Sequence, residues 1–211
     1  MTRILAIDTS SAWCSVALSL PDAAPLVRHQ KVSAGASQLL LPWVQELLSE
    51  ASIELSSLDA IAIGNGPGAF TGVRLGVATA QGLAIAAKLP VLPVASLDAI
   101  ASQLVKTPAF IASKAQSFVI AVDARMGEVY WANYHVSPNL FPRRSGDIHL
   151  TPPEEIELSK IDFIAGSAIA EFGDRVFASL SSPMPHTHCD PDIGVNALGV
   201  LACAQEMWRM G

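Results

Sequence analysis

At 211 residues the chain can bury roughly 70% of the surface its unfolded form exposes, which supports one large domain or two fused lobes without a disulfide or metal staple. Only 15% of residues are charged while 51% are hydrophobic, with a mean hydropathy of +0.40, so some apolar surface is expected to face a partner. The net charge of −6 has the wrong sign for autonomous binding to a phosphate backbone, and three widely spaced cysteines (Cys14, Cys189, Cys203) without a CxxC exclude a disulfide framework or a thiolate zinc site and fit a cytosolic chain.

The first run, Ile-Leu-Ala-Ile-Asp-Thr-Ser from residue 4, continues after a short polar turn into a second β-rich run, which predicts an antiparallel hairpin with Asp8 at a strand end. From Val119 the pattern returns, with Asp123 in the place of Asp8, 115 residues on. A strand, acidic turn and strand unit in each half predicts a duplicated architecture; the plainer alternative is that aspartate commonly ends strands.

Residues 37–50 place Leu39, Leu40, Leu41, Trp43, Val44, Leu47 and Leu48 at helical spacing. They sweep an arc of about 200°, wider than one sheet can cover, with Pro42 on the polar side near the helix start. Next come a strand at 60–63, the loop Gly64-Asn-Gly-Pro-Gly-Ala-Phe, and a helix at 71–87 whose single charge is Arg74. That charge and the glycines argue against a membrane span, and the run at 4–7 is too short for a span or a secretory signal. Gly72, Gly76, Ala80 and Ala84 recur at i+4 as a smooth ridge that would admit another helix, while Val73, Val77, Leu83 and Ile85 add apolar surface elsewhere. A strand at 91–94 and a helix opening at Ser96 follow. The second half is sparser, with loops at 107–116 and 181–192, a strand at 161–165, and helices at 168–180 and 195–209. Alternating strands and helices after each hairpin give an α/β fold.

The glycine loop lacks the lysine of a P-loop, and its G-x-G-x-x-A spelling lacks the acidic residue expected about 20 positions on. A third reading has two acidic hairpins holding Mg-phosphate through Asp8 and Asp123, with turn amides around Thr9 and Ser10, although no basic residue supports Asp8. Ser10, Ser11 and Cys14 stand in no nucleophile elbow and have no nearby histidine. His186, His188, Cys189, Asp190 and Asp192 are ligand-capable types, read in the first place as a polar surface loop. Arg74 suits a phosphate, a partner's carboxylate or a local ion pair, Trp43 an interface anchor or core packing, and Trp131 the core.

The chain resembles the TsaB (YeaZ) family on Ile-Leu-Ala-Ile-Asp-Thr-Ser at 4–10, Gly-Pro-Gly-Ala-Phe-Thr-Gly-Val-Arg-Leu-Gly at 66–76, Ala-Gln-Gly-Leu-Ala at 80–84, and Asp-Ala-Arg-Met-Gly-Glu-Val-Tyr-Trp-Ala at 123–132. The resemblance covers the first two thirds well and the remainder in outline. It implies an actin-like ATPase (ASKHA) fold of two duplicated lobes, at 1–105 and 106–194, with a short second lobe and the helix at 195–210 able to pack back on the first. It implies a non-catalytic, cytoplasmic subunit without a cofactor or metal, required for N6-threonylcarbamoyladenosine at position 37 of ANN-decoding tRNAs. The catalytic paralogue TsaD carries a metal-binding HxxxH on the helix equivalent to 37–50, where this chain has no histidine. The implied partners are TsaD, TsaE and TsaC, with tRNA met only indirectly and self-pairing through the surface that takes TsaD.

That surface is assigned to Leu39, Leu40, Trp43, Val44, Leu47, Val73, Arg74, Val77, Ala80, Gln81 and Ala84, with Asp8, Thr9, Ser10 and Asp123 as a vestigial nucleotide site. Val77→Arg and Leu40→Glu are expected to leave the chain folded while abolishing partner binding. The other function class is an ATPase or small-molecule kinase using Asp8 and Asp123. Two departures stand out: Ala34-Gly35-Ala36-Ser37 replaces the histidine-serine or histidine-threonine pair of many relatives, and a tail resembling Pro-Val-Tyr-Leu-Arg does not follow the last helix.

Overall fold

In a computed structural model, which describes residues 2–32, 35–138 and 140–211, β1 (Ile4–Asp8) and β2 (Trp13–Leu18) form the predicted antiparallel hairpin, with Asp8 opposite Ser15. β3 (Leu26–Lys31) extends it on the far side of β2, while β4 (Ala60–Gly64) and β5 (Val91–Val94) run parallel to β1, giving the order β3-β2-β1-β4-β5. The sequence reading missed β3 because Arg28, His29, Gln30 and Lys31 hide its period. An edge strand can carry such residues, and Arg28 ion-pairs with Glu46 and Glu50 of the adjacent helix.

β1 and β4 are buried along their whole length, so both faces of this sheet are covered. Leu5, Ile7, Val16, Leu18, Ile61 and Ile63 face α1 (Ala36–Glu50) and α2 (Phe70–Ala87). The alternate residues Ala6, Ala17, Ala60 and Ala62 are small and lie on the opposite face, where α6 (Ala197–Met210) packs against β1, β2, β4 and β5. Asn196 caps α6 by accepting from the Leu198 and Gly199 amides, and the Ala197 amide donates to Ser15 Oγ on β2 at 2.9 Å. Ala34, within the tetrapeptide that departs from the family, lies outside the described residues.

The chain divides into two units, one comprising the stretch to Ala99 together with Val195–Gly211, the other Ile100–Gly194. α3 (Ser96–Leu104) carries the chain from the first into the second. The second unit holds α4 (Pro108–Ser113), β6 (Ser117–Arg125), β7 (Glu128–His135), β8 (Arg143–Thr151), β9 (Phe163–Ala165), α5 (Ala168–Phe172) and β10 (Cys189–Asp190). Its sheet order is β10-β9-β6-β7-β8, with β7 antiparallel to β6, β8 antiparallel to β7, β9 parallel to β6 and β10 parallel to β9.

Each sheet therefore has one topology: a central first strand, two antiparallel strands on one side and two parallel strands on the other. This is the duplicated α/β arrangement of the actin-like ATPase fold. Some local expectations need correction. The loop read at 107–116 contains α4, begun by Thr107 capping the Phe110 amide. The helix read at 168–180 stops at Phe172, because Gly173 turns to φ +55° and a 3-10 turn follows.

Candidate functional site

α2 forms over a weakly polar run because alanine, leucine and glutamine favour the helix, and its inner face is made of small residues. Gly76, Ala80 and Ala84 are buried against the helix's own unit. The smooth ridge thus seats α2 on its own sheet, which corrects the reading that it admits a foreign helix. Pointing the other way, Phe70, Arg74, Ala78, Gln81 and Ile85 fall within an arc of about 80° and are all exposed. Phe70 is 68% and Ile85 79% exposed. The Arg74 guanidinium lies over the Phe70 ring, 3.7 Å from its centroid, so the cation is held flat against the apolar face. By length and composition alone α2 could cross a membrane; it lies on β4 and presents this face outward.

α1 behaves differently. Leu40, Trp43, Val44 and Leu47 are buried in the core they share with β1, β2 and β4. Leu40 is 1% exposed, so Leu40→Glu would bury a carboxylate and unfold the chain rather than leave it folded, a correction to that expectation. Of the assigned interface residues, Arg74 and Gln81 are exposed, Leu39, Val73 and Val77 are half-buried, and Leu40, Trp43, Val44, Leu47, Ala80 and Ala84 are interior. Leu41, 53% exposed, and the exposed Phe70 lie outside the set assigned from the sequence. Leu41 was visible in the helical pattern, and Phe70 stands at the end of the glycine loop, where the helix period had no earlier turn to define its face.

At the end of β1, Asp8 is fully buried, and its carboxyl accepts from the Ser10 amide at 3.1 Å and from Ser10 Oγ at 3.0 Å. Ser10 Oγ lies 3.1 Å from Ser96 Oγ at the start of α3. Burial pushes the Asp8 carboxyl up to about 7 from 3.8, against the Ser10 hydrogen bonds, which act downward. The fold implies a Mg-nucleotide here, and the residues do not fit one. The turn is sealed, because Ala69 on the glycine loop donates its amide to Ser10 O at 2.6 Å, and the carboxyl is closed in beside Gly64.

In the second unit Asp123 accepts from the Arg125 amide at 2.8 Å and ion-pairs with its guanidinium at 3.1 Å, while the Asp123 amide donates to Ser167 Oγ. Trp131 is core, its indole N–H donating to Thr151 Oγ1. His188 engages Asp162 O through Nδ1 and stacks on Phe163, and Asp190 caps the Asp192 and Ile193 amides. Among the described residues no three His, Cys, Asp or Glu side chains are grouped to hold a metal.

A family model described as "TsaD: tRNA N6-adenosine threonylcarbamoyltransferase" matches residues 29–202. The chain is 42% identical over 137 residues to the "tRNA threonylcarbamoyladenosine biosynthesis protein TsaB" of Escherichia coli (strain K12), covering 65% of this chain and 57% of that protein. It is also 42% identical over 135 residues to the protein of the same name from Haemophilus influenzae, covering 61% of this chain and 52% of the relative. The match thus spans little more than half the length of these curated relatives. The solved structure "YeaZ from Pseudomonas aeruginosa" superposes with a TM-score of 0.83 at 35% identity, covering 100% of this chain and 94% of that one.

Proposed function

The chain belongs to the TsaB (YeaZ) family, and from that premise we propose that it is the accessory, non-catalytic subunit for N6-threonylcarbamoyladenosine formation at position 37 of ANN-decoding tRNAs, binding and activating the TsaD transferase. The observation that carries this reading is the exposed face of α2, where Phe70 and Ile85 stand beside Arg74, the single charge on the helix. Gln81 stands within that face, Val73 and Val77 border it, and Leu41 adds an apolar contact on α1, whereas Leu39 lies about 160° round α1 from Leu41, on the flank whose Glu46 and Glu50 meet Arg28 of β3. TsaE and TsaC complete the assembly in the cytoplasm, tRNA is met through TsaD, and in isolation the chain self-pairs through the same face. Although the matching family model is named for the transferase, α1 carries no histidine to offer a metal.

Light scattering behind gel filtration, on the chain alone and mixed with TsaD from the same organism, tests this. A mass of one copy of each, formed at the expense of a self-dimer, is expected. A chain that stays monomeric in both runs overturns the reading. The second reading, an ATPase or small-molecule kinase working through Asp8 and Asp123, is opposed by the sealed Asp8 turn. Heat of binding on titration with Mg-ATP would revive it.

A further inference from the structure

Gly64, Gly68, Gly72 and Gly76 recur every fourth residue through the loop and into α2, and each abuts the turn at Asp8, Thr9 and Ser10. A Cβ at Gly68 would collide with Ser10 O, and one at Gly72 with Thr9 O, so the two backbones touch directly. A Cβ at Gly76 would come within 2.8 Å of Thr9 Oγ1 and 2.9 Å of Ile63 Cδ1. Two hydrogen bonds lock the contact from opposite sides: Thr9 Oγ1 donates to Gly72 O at 2.7 Å, and the Ala69 amide donates to Ser10 O at 2.6 Å. Both Thr9 and Ser10 are 2% exposed. The spelling that resembles a phosphate-binding loop thus grips the chain's own turn, in the place where a nucleotide loop would grip a ligand.

We propose that Thr9 is a positioning residue for partner binding: the Thr9 turn and the glycines clamp the first turn of α2, fixing Phe70 and Arg74 in the orientation the partner reads. The proposal rests on the assignment of the α2 face to TsaD binding. Phe70 and Arg74 lie one residue either side of the clamped segment at Thr71 to Val73, so a rotation of that turn moves both. The Gly72 carbonyl is an acceptor within the helix, and the Thr9 hydroxyl supplies it with a second, rigid donor from the sheet side.

The test compares Thr9→Val, Thr9→Ser and Ile85→Glu in the full chain, titrated against TsaD from the same organism, with thermal melting of each variant alone. Valine keeps the branched shape and removes the donor; serine keeps the donor. Thr9→Val is expected to weaken binding by about tenfold at a temperature where it is fully folded, with Thr9→Ser restoring wild-type affinity and Ile85→Glu abolishing binding. Wild-type affinity for folded Thr9→Val, with Ile85→Glu still silent, overturns the clamp and leaves the α2 reading standing. Wild-type affinity for both overturns the α2 reading and the clamp with it. Should Thr9→Val not fold, Thr9→Ala takes its place: it removes the same donor to Gly72 O and sets no second methyl against that carbonyl. Weaker binding by that variant supports the clamp, and unchanged binding overturns it.

Discussion

A carboxyl with no water around it is the most unusual residue in the molecule. Asp8 sits at the end of a fully buried strand, and burial holds its proton up to about 7. The folded state therefore binds more protons at this site than the unfolded chain does between about 3.8 and about 7. The stability contribution is fully present below pH 4 and is lost as pH rises through 7. Asn resembles the protonated carboxyl in shape and hydrogen bonding and does not titrate. Asp8→Asn is expected to remove a loss on the order of 2–3 kcal/mol between pH 5 and pH 8. Urea unfolding at the two pH values, wild type against variant, reads the difference. Equal pH dependence in both proteins would mean that Asp8 is ionised in the fold. The sequence marked Asp8 as special, but spacing alone could not separate a metal-facing carboxylate from a sealed one; only the closure of the Ala69 loop over Ser10 decides it.

At the scale of single helices, α1 and α2 were legible as overly apolar and illegible in orientation. The arc of leucines on α1 is wide because two surfaces share it: Leu40, Trp43, Val44 and Leu47 enter the core, while Leu41 stays outside. Periodicity gives the width of such an arc but not which edge the sheet covers, and this is why the assigned contact set included interior residues. On α2 the small ridge looked outward-facing because close helix packing is the familiar use of small residues; here the close neighbour is the Thr9 turn and the sheet. The distinction has a stability consequence. Leu47→Ala, at a fully buried position, is expected to cost about 2–5 kcal/mol, whereas Leu41→Ala on the exposed edge should stay within about 0.5 kcal/mol of wild type. Equal destabilisation by the two in urea would mean that α1 is seated differently.

For the whole molecule, the duplication was readable from two hairpins, since Asp8 ends β1 and Asp123 lies two residues before the end of β6, and each of these central strands is followed at once by its antiparallel partner. Other elements were not readable, for physical reasons. β3 is a charged edge, and β10 is two residues long. The role of α6 depends on a partner face contributed by the opposite end of the chain. Ala6, Ala17, Ala60 and Ala62 are small because α6 lies against that face, with Ala197, Val200, Leu201 and Ala204 buried beneath it. Residues 195–211 thus complete a unit whose other residues end at Ala99. A chain ending at Gly194 would leave one face of the buried strands β1, β2 and β4 in water and the Ser15 hydroxyl without the Ala197 amide. Such a chain, which also lacks Trp208, is expected to lose the near-ultraviolet circular dichroism of Trp13 and Trp43 and to bind a hydrophobic dye, while the Trp131 environment, supported by β6 to β9 and α5, keeps its native signal. Retention of the wild-type melting temperature and near-ultraviolet spectrum would instead mean that α6 is an addition to a self-sufficient sheet.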